Sequence, residues 1–310
     1  MTGVAQVLSR ALAAGEPAVL VTVARALGST PREAGARMLV GARRIAGTIG
    51  GGRLEHEAIA AARRLIETGA ARHHMELPLG PAIGQCCGGH VGLRLEQADA
   101  GTLVELERIE CAERASMTPI HLFGAGHVGK AIVQALAPLP LRLIWIDSRA
   151  EEFPDALPDG VTRLIAADPV ACVTAAEPGA AFLILTHDHA LDFALASAAL
   201  GRGDALYVGL IGSRTKRHKF ERLYVSGGGK PSDLGRLVCP IGAGLTREKR
   251  PPVIAAMVAA ELLIAVDRAA HRLVPISAGQ ARAEPACLHH PAGCGTCPDA
   301  ASGMTMRSAI

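Results

Sequence analysis

Pro119-Ile120-His121-Leu122-Phe123-Gly124-Ala125-Gly126-His127-Val128-Gly129 is the stretch on which the fold turns. A short apolar run of strand type passes straight into Gly-x-Gly-x-x-Gly, and Lys130 to Ala137 continues with helical composition. Leu141 to Ile146 is a second apolar run, and it ends on Asp147. In a strand–turn–helix setting this is the Rossmann pattern. The first glycine makes the tight turn, the second lets a pyrophosphate reach the backbone, and the third lets helix and strand pack closely. An acid about 20 residues on meets the ribose. Gly124, Gly126, Gly129 and Asp147 are therefore candidate nucleotide contacts. Asp147 serves equally well as a strand cap, since a Rossmann fold can lose or change its ligand.

Working outward toward the C-terminus, Thr162 to Ala166, Ala181 to Thr186 and Tyr207 to Gly212 read as strands, with another strand end at Cys239 to Gly244. Helical stretches alternate with them: Leu191 to Leu200, Thr215 to Tyr224 and the Ala-rich Pro252 to Ala270. The alternation predicts a doubly wound parallel sheet, whose ligands bind at the carboxyl ends of the strands. His187-Asp188-His189, Gly212-Ser213-Arg214 and Cys239-Pro240 fall there. His187 and His189 are suited to positioning a ligand or a proton, and Arg214 to clamping a phosphate or carboxylate. A metal held by the His187-Asp188-His189 run is disfavoured, because consecutive strand residues alternate faces and no other carboxylate cluster is evident.

Toward the N-terminus the pattern changes. Val4 to Ala14 has helical spacing, and Ala18 to Val23 reads as a buried strand. The loop Gly28-Ser29-Thr30-Pro31-Arg32-Glu33-Ala34-Gly35-Ala36-Arg37 carries hydroxyls and two cations suited to an anion, or is an ordinary turn with solvated charges. Met38 to Ile49 predicts a hairpin turning near Gly41-Ala42. Gly50-Gly51-Gly52 then leads into a helix that ends at Gly69. Free N–H groups and the helix dipole favour an anion at such an elbow, although three glycines equally permit close packing. The Gly-Lys-Ser/Thr ending of a P-loop is absent. Ala71 to Leu77 and His90 to Glu96 are strand-like. Between them, after a bend at Pro78 and Pro81, lies Ile83-Gly84-Gln85-Cys86-Cys87-Gly88-Gly89. Neighbouring cysteines rarely bridge each other. Either these are two small buried residues near a hairpin, or their flanking glycines bring the thiols to a ligand.

The expected architecture is α/β: a small α+β N-terminal domain over residues 1–100, a connector over 101–117, a Rossmann-like doubly wound parallel-sheet domain over 118–275, and a flexible tail over 276–310. The 310 residues suit two domains. A net charge of +3 and 3% aromatic content argue against nucleic-acid binding. No run of 18 apolar residues exists to span a membrane, and Met1 to Ala14 lacks the order of a signal peptide. The eight cysteines form no regular disulfide framework, so reduced thiols and a cytoplasmic location are expected. Cys287, His289, His290, Cys294 and Cys297 in the tail are enough ligands for zinc, but their spacing fits no standard finger.

Several of these motifs together resemble the XdhC/CoxI family: Gly28 to Arg32 with Gly35-Ala36, Gly47 to Gly52 with Leu54-Glu55, Gly84 to Gly89, Phe123 to Gly129, Thr186 to His189, Gly209 to Ser213, Pro240 to Gly242 and Lys249 to Ala256. The resemblance spans about residues 1–275. It implies a molybdenum cofactor (molybdopterin form) chaperone rather than an enzyme. Such a protein protects the cofactor while a cysteine desulfurase supplies sulfur, then passes it to the molybdenum-binding subunit of an apo xanthine dehydrogenase. A molybdenum-insertion protein and self-association into an oligomer belong to the same expectation. On this reading Gln85, Cys86 and Cys87 meet the cofactor, one thiolate contacting molybdenum or accepting persulfide sulfur. Arg32 or Arg37, with Gly50-Gly51-Gly52, holds the phosphate. The competing expectation is an NAD(P)-dependent oxidoreductase built on Gly124 to Gly129 and Asp147, although no catalytic Tyr-Lys or His-Arg arrangement is recognisable. A third is a zinc-bound interaction protein acting through the tail.

Overall fold

A computed structural model describes residues 3–79, 88–242 and 248–273. Gln85, Cys86 and Cys87 lie outside these residues, as do the tail's cysteines and histidines. The described residues build two sheets within one compact unit, Met1–Ala269.

The first sheet is antiparallel, with order β3-β2-β1-β5-β4. Its strands are β1 (Ala18–Leu27), β2 (Arg37–Gly41), β3 (Ile45–Gly47), β4 (Arg72–Leu79) and β5 (Gly89–Gln97). Central β1 is apolar on both faces because both are covered. Val19, Val21 and Val23 meet helix α2 (Gly52–Thr68) through Leu54, Ala58, Ala61 and Leu65, spaced to share one helical face. On the opposite face Ala18 packs with Leu8 of α1 (Val4–Ala13) and Leu106 of α3 (Ala100–Ser116). The expected hairpin is β2–β3, closed by Gly41 N–H donating to the Arg44 carbonyl at 2.8 Å. Of the bend expected at Pro78 and Pro81, Pro81 lies outside the described residues and Pro78 lies within a strand. β4 continues to Leu79, and Pro78 pairs with His90 on an edge strand, where a residue without an N–H is tolerated. The start of α3 is set by Asp99, which accepts from Thr102 N–H at 2.8 Å while Thr102 Oγ1 accepts from Asp99 N–H.

The second sheet is parallel, with order β11-β10-β9-β6-β7-β8. The chain runs β6 (Thr118–Phe123), α4 (His127–Leu136), β7 (Leu141–Asp147), β8 (Val161–Ile165), α5 (Pro169–Thr174), β9 (Ala181–Ile184), α6 (His189–Arg202), β10 (Tyr207–Leu210), α7 (Arg214–Ser226), β11 (Leu237–Val238) and α8 (Pro251–Leu273). From β6 it builds outward through β7 and β8. It then returns to β6's other side and builds outward through β9 to β11, so the switch point falls between β6 and β9. Both faces are buried, which is why the strands read as continuous apolar runs. Ile120, Leu122, Trp145 and Leu183 pack with α4 and α8, while Phe123, Phe182 and Ile184 pack with Leu195 and Phe220. Among the described residues no helix is long and apolar enough to cross a membrane.

The glycine loop after β6 shows why two of its glycines are required. A Cβ on Gly124, whose φ is +120°, would lie 2.2 Å from the Leu185 carbonyl oxygen, and one on Gly129 would lie 2.1 Å from the Gly124 oxygen. A Cβ on Gly126 would meet nothing within 4 Å. Gly129→Ala should therefore cost about 1–3 kcal/mol through overpacking, whereas Gly126→Ala, at the cap of α4, should cost under about 1 kcal/mol. Denaturant unfolding of the two variants tests this, and the reverse ranking would contradict the packing role given to Gly129.

Candidate functional site

At the switch point, β7 clamps the glycine loop with two side chains. Trp145 Nε1–H donates to the Gly124 carbonyl at 3.0 Å, and Asp147 Oδ2 accepts from Ala125 N–H at 2.7 Å. The rest of the Asp147 carboxylate is taken by Arg149. The guanidinium donates to both oxygens at 3.0 Å, and the Arg149 backbone N–H donates to Oδ1 at 3.0 Å. Burial would raise the Asp147 pKa, but the hydrogen bonds from Arg149 and Ala125 outweigh it and hold the carboxyl below its usual range. Asp147 is thus buried and saturated by its own chain. The expectation that it accepts from ribose hydroxyls changes accordingly: here it ties β7 to the loop. Gly126 has the open space that a ligand contact needs.

Across the switch point the ends of β9 and β10 are joined by Asp192, a fully buried carboxylate on α6. Its Oδ1 accepts from the Thr186 backbone N–H at 2.9 Å and from the Thr186 hydroxyl at 2.8 Å, and its Oδ2 pairs with Lys216 Nζ of α7. The candidate residues surround this pair without forming it. His189, largely exposed, lies 3.9 Å from Asp192, and Asp188 caps α6 by accepting from Ala190 N–H. Arg214 opens α7, next to Ser213, which caps that helix. His187 is exposed beside them. Asp192 and Lys216 carry no motif in the sequence. The only cue to them is a charged residue set among apolar neighbours on α6. Among the described residues no group of three His, Cys, Asp or Glu side chains is placed to hold a metal.

The N-terminal sheet gathers its motifs at one end. β1 exits there into Gly28 to Arg32, β3 exits into Gly47 to Gly52, β4 stops at Leu79, and β5 starts at Gly89. Ser29 bridges Gly88, Gly88 N–H donates to the Leu79 carbonyl at 2.7 Å, and a Cβ on Gly89 would lie 2.2 Å from the Ser29 oxygen. A Cβ on Gly50 would strike Pro31 at 2.5 Å. Gly88 and Gly89, which follow Cys87 in the chain, are therefore fixed beside Ser29, with the glycine elbow packed on the same loop. His90, the first side chain of β5, is held there by Glu76 at 2.6 Å.

Two of the elbow's donors already have partners, Gly50 N–H on the Thr48 hydroxyl oxygen at 3.1 Å and Gly51 N–H on Glu55. Glu55, one turn into α2, accepts from Gly51 N–H at 2.8 Å, from Ile49 N–H at 3.0 Å and from the Thr48 hydroxyl. Burial would raise its pKa, but the Thr48 hydroxyl and the backbone N–H groups of Gly51, Ile49 and Gly50 together lower it. Within Gly50-Gly51-Gly52, the Gly51 N–H is thus taken by an internal carboxylate. Arg37 likewise pairs with Glu113 of α3, and Arg32 lies 3.5 Å from Glu33.

Two outcomes follow. Glu55 and Asp147 both have folded pKa values below their unfolded ones, about 4.3 and 3.9. The stability they contribute is complete above those values and is lost as pH falls through the lower folded values. Glu55→Gln and Asp147→Asn should therefore flatten the acid side of the stability curve, read as unfolding midpoints between about pH 3 and 6; an unchanged slope would count against these contacts. Lys216→Met leaves Asp192 buried without its cation and should cost about 3–5 kcal/mol. Adding Asp192→Asn to it should restore part of that loss, and a double variant weaker than Lys216→Met would remove the pair from the account.

Comparison with known proteins agrees with this organisation. A family model described as the XdhC Rossmann domain matches residues 120–262, and one described as the XdhC and CoxI family matches residues 11–77. The protein YqeB of Escherichia coli (strain K12), itself uncharacterized, is 30% identical over 258 residues, which is 80% of this chain and 43% of YqeB. The chain thus spans less than half the length of that curated relative. A Bacillus halodurans chain described as a xanthine dehydrogenase superposes with a TM-score of 0.68 at 18% identity, covering 89% of this chain and 99% of that one. At that identity the likeness concerns the fold. With both family models matching in order, over the antiparallel and the parallel sheet respectively, the chain belongs to the XdhC and CoxI family.

Proposed function

We propose that the chain is a maturation protein for a molybdenum hydroxylase, carrying the molybdenum cofactor as cargo rather than using it in a reaction of its own. The observation that carries this reading is the convergence at one end of the N-terminal sheet: Gly28 to Arg32, the Gly50-Gly51-Gly52 elbow, and Leu79 with Gly88, the residues that frame Gln85, Cys86 and Cys87. A soft thiolate is the protein ligand chemistry suited to a sulfur-bound molybdenum, and arginine suits the pterin's phosphate. In this role the protein shields the cofactor while a cysteine desulfurase supplies sulfur. It then delivers the cofactor, with a molybdenum-insertion protein, to the molybdenum-binding subunit of apo xanthine dehydrogenase. The nicotinamide-dependent alternative has less support, because both oxygens of the acid that would meet the ribose are engaged by Ala125 and Arg149.

The test is protein purified from a cofactor-producing host, assayed for molybdenum, for oxidised-pterin fluorescence and for activation of apo dehydrogenase. Wild-type protein should carry or bind cofactor. The double variant Cys86→Ala, Cys87→Ala should lose about tenfold or more in retention and activation. Undiminished retention and activation in that variant would overturn the thiolate assignment, and absence of molybdenum and pterin after co-incubation with wild type would overturn the cargo reading.

A further inference from the structure

Helix α7 (Arg214–Ser226) holds five lysine or arginine residues, Arg214, Lys216, Arg217, Lys219 and Arg222, against the single acid Glu221. Its formal charge is +4, five cations less one acid, whereas the whole 310-residue chain sums to +3. Without this helix the chain would carry −1, so the protein's net positive charge is concentrated on 13 residues.

The fold uses two of these cations internally. Lys216 pairs with the buried Asp192, and Arg217 turns to Glu221 and to the Leu237 and Cys239 carbonyls. Glu221 also meets His218 at 3.2 Å, so the helix's one acid is spent. Arg214, Lys219 and Arg222 are exposed and form no ion pair among the described residues. Their spacing puts all three on the outward side of the helix, away from Phe220 and Tyr224, which bury the inner side. Lys219 and Arg222, three residues apart, repel each other, and no acid of this helix is left to answer them. Leu223, 50% exposed, and Val225, 42% exposed, lie on the same outward side.

We propose that this face docks an acidic surface of a partner protein, with Arg214, Lys219 and Arg222 meeting carboxylates and Leu223 and Val225 lying under apolar side chains. Arginine among apolar neighbours is the composition of a protein interface, and a field of one sign steers the encounter with an acidic partner. A nucleic acid fits less well. Its phosphates would leave Leu223 and Val225 in water, and the helix's own aromatics, Phe220 and Tyr224, are buried where no base can stack on them. The choice of partner rests on the proposed function, which names a cysteine desulfurase and the apo dehydrogenase.

Association of the full-length chain with each of those two proteins, and with a short DNA duplex, is followed by biolayer interferometry. At least one of the two proteins should bind, with an association rate that falls about tenfold or more between about 50 and 300 mM salt. Lys219→Glu combined with Arg222→Glu should lower that rate about tenfold or more at low salt. Arg63→Glu combined with Arg64→Glu, an equal change of charge at exposed positions of α2, should lower it less than about threefold. Both double variants should keep the wild-type unfolding midpoint, since all four side chains are exposed, and both should retain cofactor as the wild type does. Equal losses in the two double variants overturn the proposal. So does binding of neither protein, tighter binding of DNA than of either protein, or a wild-type oligomer that the Lys219→Glu, Arg222→Glu variant dissolves. If a partner docks through α7 while the wild-type chain carries neither molybdenum nor pterin, the docking face stands and the cargo reading falls.

Discussion

The carboxylate of Asp147 is the contact on which the parallel half of the molecule depends. It sits at the end of β7 and reaches sideways to the Ala125 N–H, so the glycine loop after β6 is fastened to the neighbouring strand. Trp145, two residues earlier, fastens the same loop through the Gly124 carbonyl. Gly129 must then be a glycine, because α4 leaves against that oxygen with no room for a Cβ. A buried carboxylate is costly unless its lone pairs are satisfied. Arg149 supplies both the charge and the remaining donors.

The same device recurs at two other places. Glu55 fills the elbow before α2, and Asp192 binds the end of β9 and anchors Lys216 of α7. In each case an acidic side chain takes backbone N–H groups at the end of a strand or the start of a helix. These loops are thereby held by the chain's own carboxylates.

Much of this was legible in the primary structure. The Rossmann half was readable because buried parallel strands are uninterrupted apolar runs and because Gly124, Gly126 and Gly129 have spacing that few other structures require. The helix ending at Gly69 and the hairpin over β2 and β3 were readable for similar local reasons, since Gly69 has a φ of +69°. Pro78 was misread as a bend: only sheet order shows that β4 is an edge, where a proline is tolerated. Asp192 and Lys216 were not legible as a pair, being separated along the chain and joined only when α6 and α7 pack on one side of the sheet.

The sequence by itself determined the classes of element and the two sheets' separate characters, because these follow from local periodicity and glycine spacing, while the family was legible only as a resemblance of its motifs. Only the tertiary structure decided what each polar residue does. Asp147 and Glu55 have the composition of ligand contacts, yet both are consumed internally, because the distance from a carboxylate to a backbone N–H is set by how strands and helices are juxtaposed.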